Sequence, residues 1–322
     1  MSEKPVQFGP DGHLIGVLSL PAEGQAGDLA CLMLNVGVTH HIGPRRLNVK
    51  LARRLARQGV ASLRFDLSGI GDSGAALGRL NFREQVLRDM HAAMDKVETE
   101  TGIRRFVVIG ICSGAINGYW LTQVDSRVIG LMMFDGFAYP TFKTRLVHDW
   151  WRLRTTPWRI VLRKGMGRLT RSIGAASTSQ QVSIFNVGPD EATPTRDEFA
   201  AALNGMAQRG VALYMIYSGS LLLHFNYAAQ TADVFGNEPF IARLRHDYWP
   251  EVDHLVTSQA SQRQLFDATC DWVRSIIAAP AQAVQRIGLE ACAGEAQRGD
   301  QPRRIVGSAG DVARRRSVDL IN

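Results

Sequence analysis

No stretch of this chain approaches the roughly 20 consecutive apolar residues needed to cross a bilayer. Its opening residues, Met1-Ser2-Glu3-Lys4-Pro5, carry no apolar secretion signal. A soluble, cytoplasmic protein is therefore expected. Cysteine is scarce: Cys31, Cys112, Cys270 and Cys292 stand far apart, which excludes paired zinc spacings and a dense disulfide framework. Acid is the minority charge, with 30 Asp and Glu against 37 Lys and Arg and a net charge of +7. The basic excess is concentrated rather than spread over a recognisable binding motif, so nucleic acid is not an expected partner. Gly69, Gly71 and Gly74 spell GxGxxG after a strand, but no helix opens promptly within Ala75 to Leu80, so no dinucleotide cofactor is expected. His40 and His41 lack an evident third ligand, so no metal is expected.

What is present is a long, well-mixed chain: 322 residues, 45% hydrophobic and 21% charged, enough for one large α/β domain with an insertion. Apolar runs predict strands over His13 to Leu20, Leu29 to Val38, Val60 to Leu67, Arg105 to Ile111, Val128 to Phe134, Val211 to Ser218 and Arg243 to Trp249. Helical spacing predicts helices between them: one through Leu47, Leu51 and Leu55, then Phe82 to Glu100, Ser113 to Gln123, Arg196 to Gln208, Tyr227 to Phe235, and Ser258 to Ile277. The alternation points to a mainly parallel, doubly wound sheet with helices on both faces. Residues 1–137 and 195–279 read as this core. Residues 138–194 break the rhythm and read as an inserted helical cap. Residues 280–322, rich in Ala, Gly, Gln and Arg, read as a mobile tail.

The chemistry concentrates at Gly110-Ile111-Cys112-Ser113-Gly114-Ala115, between the fourth strand and its helix. A strand turning sharply into a helix strains the residue at its tip and needs small neighbours two positions either side. Gly110 and Gly114 meet that need if Cys112 is the tip. With Ser113 as nucleophile, Ile111 would crowd the turn. The competing reading is a buried cysteine before an ordinary helix, with Ser113 as its cap. A nucleophilic cysteine requires a base, an orienting acid and oxyanion donors. His254 follows the last strand, where doubly wound sheets place active residues, and is the preferred base. The loop after Ser218 reads Ser218-Gly219-Ser220 and offers no carboxylate. Asp135, at the end of the preceding strand, is the preferred acid, with Asp253 the alternative. The Ser113 amide and an amide of the Asn35 to Thr39 loop, Val38 preferred, are the expected oxyanion donors. Gly37 lets substrate approach that loop.

These pieces, together with Leu63-Arg64-Phe65-Asp66-Leu67-Ser68-Gly69-Ile70-Gly71-Asp72-Ser73, resemble the α/β-hydrolase fold. In particular they resemble the bacterial branch of serine-aminopeptidase-like and exosortase-associated hydrolases, over most of Leu14 to Ile277. The resemblance implies a triad of Cys112, His254 and an acid, with amide donors at Val38 and Ser113. Two positions depart from the family pattern: cysteine replaces the usual serine, and the usual acid position after the penultimate strand is empty.

The expected activity is acyl processing: hydrolysis of an ester or thioester through an acyl group on Cys112, with acyl transfer or cyclisation as the alternative. A noncatalytic acyl- or partner-binding module is the reading from another class, favoured by the empty acid position. The cap carries Lys143, Arg145, Arg152, Arg154, Arg159, Arg163, Lys164, Arg168 and Arg171 with Asp149 as lone acid. It reads as a solvated basic face, a membrane-surface element, or a recruiter of an acidic acyl carrier protein or coenzyme A. Trp150, Trp151 and Trp158 would then cover the acyl group.

Overall fold

The structure, a computed structural model, describes residues 1–25, 27–76, 78–155 and 193–298. The chain divides into two compact units, Met1–Ile277 and Ala278–Asn322, and the sheet lies in the first. Its strands are β1 (Ser2–Phe8), β2 (Leu14–Leu20), β3 (Leu29–Met33), β4 (Ala61–Phe65), β5 (Arg105–Ile111), β6 (Val128–Phe134), β7 (Ala212–Ser218) and β8 (Leu244–Trp249). They form one eight-stranded sheet in the order β1-β2-β4-β3-β5-β6-β7-β8. From β4 to β8 every pairing is parallel, while β1 with β2 and β2 with β4 are antiparallel.

Strand β1 is absent from the sequence expectation. It sits at the sheet edge, exposes most of its side chains and contains Pro5. Edge strands tolerate both features, so its apolar signal is reduced to buried Val6 and Phe8. Strand β3 also ends earlier than expected, at Met33, and residues 34–43 become the loop that faces the elbow.

Helices α1 (Leu47–Ala56), α2 (Phe82–Thr101), α3 (Ser113–Val124), α4 (Phe142–Thr155), α5 (Arg196–Gln208), α6 (Gln230–Phe235) and α7 (Gln259–Arg298) follow in chain order. Successive strand residues point to opposite faces, and the sheet's side chains divide between two cores accordingly. On one face Leu32, Leu63, Val108, Leu131 and Met215 pack with Met90 and Met94 of α2, Ile116 of α3 and Phe199 of α5. On the other, Cys31, Met33, Val107, Met132 and Ile216 pack with Leu51 and Leu55 of α1 and Leu265 and Val273 of α7.

The end of the last helix shifts. Helix α7 runs past Ile277 and Pro280 to Arg298, where the sequence reading ends the helix and starts a tail. Its Ala, Gln, Glu and Arg favour helix without any apolar period. Residues 299–322 lie outside the described residues. Of the expected cap, α4 is described, while 156–192, including Trp158, also lie outside.

Candidate active site

The strained tip is Cys112. It has φ 58° and ψ −122°, a region that side-chain-bearing residues rarely enter and that persists where surrounding structure enforces it. Its amide donates to the Phe134 carbonyl at 2.9 Å, tying the turn to β6. A Cβ on Gly110 would overlap the Gly114 carbonyl and stand 2.5 Å from the Ala115 amide. A Cβ on Gly114 would stand 2.7 Å from the Asn35 carbonyl oxygen. Both glycines are therefore sterically required. Ser113 is the first residue of α3, so its amide has no carbonyl behind it in the helix.

His254 lies between β8 and α7 and brings its Nδ1 to 2.7 Å from Asp135 Oδ2. A carboxylate only accepts, so Nδ1 carries the proton and Nε2 is left for the Cys112 thiol, with which the imidazole also hydrogen-bonds. The Asp135 hydrogen bond, reinforced by the Cys112 contact, pushes the His254 pKa up to about 10 against the opposing effect of burial. Asp135 directly follows β6, is fully buried and has φ 50°, a conformation aspartate tolerates better than most residues. Its amide donates to Ile216 at 2.8 Å, and its carboxylate accepts the Ser218 amide at 2.7 Å and the Ser218 hydroxyl at 2.6 Å.

Of the two acids considered, Asp135 meets the imidazole. Asp253 caps its own loop, accepting from the Leu255 and Thr257 amides and the Thr257 hydroxyl. The segment Ser218-Gly219-Ser220, empty of carboxylate, has a positioning role that sequence reasoning missed. Ser218 binds Asp135, the Gly219 amide donates to Val252 at 3.0 Å, and the Ser220 hydroxyl accepts the His254 amide at 2.9 Å. Two serines flanking a glycine directly after a strand were the available signal.

The Asn35 to Thr39 loop meets the elbow through Gly37 and Ser113. Its tip is a tight turn, Thr39 N–H donating to the Val36 carbonyl at 3.0 Å, with Gly37 at φ 58°. The Gly37 amide donates to the Ser113 hydroxyl at 2.8 Å. The Val38 side chain stands 87% exposed, and among the described residues its amide has no acceptor. Trp150 and Trp151 lie exposed on α4, Trp150 beneath the Arg154 guanidinium.

His40 and His41, read from sequence as loop surface, converge with Asp66 and Asp72, their donor atoms all within 4.8 Å of one another. The four already form a hydrogen-bonded staple. The Ile42 amide donates to His40 Nδ1, which leaves the ring proton on Nε2, facing Asp72 at 2.8 Å. His41 Nδ1 donates to Asp66 at 2.8 Å. Burial pushes the Asp66 carboxyl upward, but hydrogen bonds from His41, Asp72 and Asn35 outweigh it and hold the pKa below the usual carboxylate range. Buried and ionised, Asp66 fastens the loop after β3 to the loop after β4.

A parallel sheet flanked by helices, with a strained cysteine after β5, a histidine after the last strand and a buried acid, is the arrangement of the α/β-hydrolase fold. The chain has the α/β-hydrolase fold, and residues 29–184 match the family model of the serine aminopeptidases, S33. Among solved structures it is similar to an α/β serine hydrolase without a lid from Xanthomonas campestris. That pair shares 12% identity over 85% of this chain and 95% of the other, with a TM-score of 0.51. It is likewise similar to the esterase domain of a Rhodothermus marinus protein, at 16% identity over 85% and 99% of the two chains, with a TM-score of 0.52. No curated protein matches the sequence. Among the described residues, no helix is long and apolar enough to cross a membrane.

Proposed function

We propose that this chain is an acyl-processing hydrolase that acts on an ester or thioester through a covalent acyl group on Cys112. One observation carries the reading: a cysteine at a strained elbow hydrogen-bonds to an imidazole whose far nitrogen is held by a buried carboxylate. A noncatalytic module has no need of that arrangement. The Asp135 carboxylate, 2.7 Å from His254 Nδ1 at the end of the neighbouring strand, supports the catalytic reading over such a module.

In the proposed cycle the Cys112 sulfur, its proton held by His254 Nε2, attacks the substrate carbonyl carbon. A C–S bond forms, and the carbonyl electrons move to oxygen. The Val38 and Ser113 amides stabilise that oxyanion. Collapse breaks the bond to the leaving alkoxide or thiolate, which takes the proton from His254. Water then gives a proton to the same nitrogen and attacks the acyl carbon, and the C–S bond breaks to release the acid. An amine, thiol or carbon nucleophile in place of water would turn hydrolysis into transfer or cyclisation. Asp135 keeps Nδ1 protonated throughout and offsets the imidazolium charge.

The catalytic loops present apolar surface at Val38, Leu223 and Leu255, which suits an acyl chain better than a charged group. The deciding experiment is intact-protein mass spectrometry after incubation with p-nitrophenyl butyrate or a butyryl thioester. The wild-type protein is expected to gain one butyryl group that maps to Cys112 and is absent in Cys112→Ala. An adduct that survives Cys112→Ala and disappears in Ser113→Ala would overturn the assignment.

A further inference from the structure

The base and the tip of the loop that meets the elbow are held by different means. At the base, Asn35 donates to Asp66 Oδ1 at 2.7 Å and to the Thr39 carbonyl at 2.8 Å, while its Oδ1 accepts the Leu67 amide at 2.9 Å. The His41 amide adds a further bond to Asp66 at 2.6 Å. The tip has no such support. A Cβ on Gly37 would meet nothing within 4 Å, and beyond the turn's own hydrogen bond the tip is anchored, among the described residues, by the Gly37 amide donating to Ser113 Oγ at 2.8 Å. A positive φ at Gly37 but not at Val38 is the pattern of a II′ turn, in which rotation of one peptide redirects the amide that follows.

From this we infer that the Ser113 hydroxyl is a positioning residue. By accepting the Gly37 amide it pins the loop tip against the first turn of α3 and fixes the direction of the neighbouring Val38 amide relative to the Cys112 sulfur. Ser113 thus has two separable parts: an amide that faces the oxyanion and a hydroxyl that orders the second donor. The Gly37 amide is consequently committed to protein, and the loop contributes its donor through Val38. The inference rests on the acyl-enzyme reading, because an oxyanion donor matters only where a tetrahedral intermediate forms.

The test uses Ser113→Ala and Ser113→Thr in the full chain, with two reactions of Cys112 measured in each. Acylation by p-nitrophenyl butyrate passes through an oxyanion; alkylation by iodoacetamide does not. Losing one ordered oxyanion donor costs about 10²–10³-fold in other enzymes. Loosening one while its amide stays present is expected to slow acylation on the order of 10- to 100-fold. Alkylation should remain within about twofold of wild type, and Ser113→Thr, which keeps a hydroxyl, should recover most of the acylation rate. Wild-type acylation rates in Ser113→Ala would overturn the inference while leaving the acyl-enzyme intact. Equal loss of acylation and alkylation would also overturn it, since that is disruption of the elbow itself. No adduct on wild-type Cys112 would remove the acyl-enzyme reading, and the inference with it.

Discussion

Asp135 has no exposed surface, and its two oxygens meet three donors: Ser218 N–H on Oδ1, and the Ser218 hydroxyl and His254 Nδ1–H on Oδ2. An asparagine of the same shape cannot serve them. Whichever way its amide turns, an NH2 group faces a donor and leaves it unsatisfied, at a cost of about 1–3 kcal/mol for each such group. Asp135→Asn is expected to lower kcat/KM for p-nitrophenyl butyrate by about 10²-fold, the low end for a misplaced acid–base group, and to reduce the melting temperature. Unchanged kinetics in a folded variant would remove Asp135 from the site. The raised His254 pKa supplies a second expectation with a definite sign. A group held above its ordinary value stabilises the fold fully below that value, about 6.5 for imidazole. The contribution is then lost as pH rises through about 10. The gap in melting temperature between wild type and His254→Gln should therefore narrow from about pH 6 to about pH 10. A gap that widens over that range would contradict the pairing.

Among the elements, loops after β3, β5, β6, β7 and β8 converge at the carboxyl ends of the parallel strands, and single glycines permit the closest approaches. Gly219 is the clearest case. A Cβ there would overlap the Pro250 carbonyl, and its amide donates to Val252 in the loop that carries His254. Gly219→Ala is expected to displace that loop and lower the acylation rate about tenfold or more, while Asp135 keeps its bonds to Ser218. Gly110→Ala acts on the elbow itself, because the obstructing backbone belongs to the first turn of α3. A destabilisation of about 2–3 kcal/mol is expected by equilibrium urea unfolding. The elbow was legible in the sequence because steric need and residue identity coincide at Gly110, Cys112 and Gly114. The inner strands were legible because burial on both faces leaves continuous apolar runs. Strand β1 was hidden by its half-exposed, proline-containing edge. The end of α7 was hidden because helix propensity without amphipathic spacing leaves no period to read. Asp66 with His41, 25 residues apart, and the Ser218 contact to Asp135, 83 residues apart, depend on which strands lie side by side. Local pattern does not encode that.

For the whole molecule, the separation of charge from chemistry suggests how substrate is delivered. Helix α4 exposes Phe142, Leu146 and Trp150 at helical spacing and carries Lys143, Arg145, Arg152 and Arg154 against one acid, Asp149. Arg154 lies over the Trp150 ring at 4.5 Å. Apolar and cationic groups therefore alternate along one exposed helix, a surface suited to an anionic carrier holding an apolar acyl group. We propose that α4 recruits such a carrier, an acidic acyl carrier protein or coenzyme A. The remaining cap cations, from Arg159 to Arg171, lie outside the described residues. Exposed cations act mainly on association and are screened by salt. Reversing Arg152 and Arg154 to glutamate is thus expected to raise KM for a butyryl carrier thioester several-fold at low ionic strength, with the difference shrinking near about 0.5 M salt. Turnover of neutral p-nitrophenyl butyrate should stay near wild type, since neither arginine belongs to the Cys112–His254–Asp135 cluster. Equal losses on the neutral and the carrier-linked substrates would reject recruitment and leave α4 as a solvated basic face.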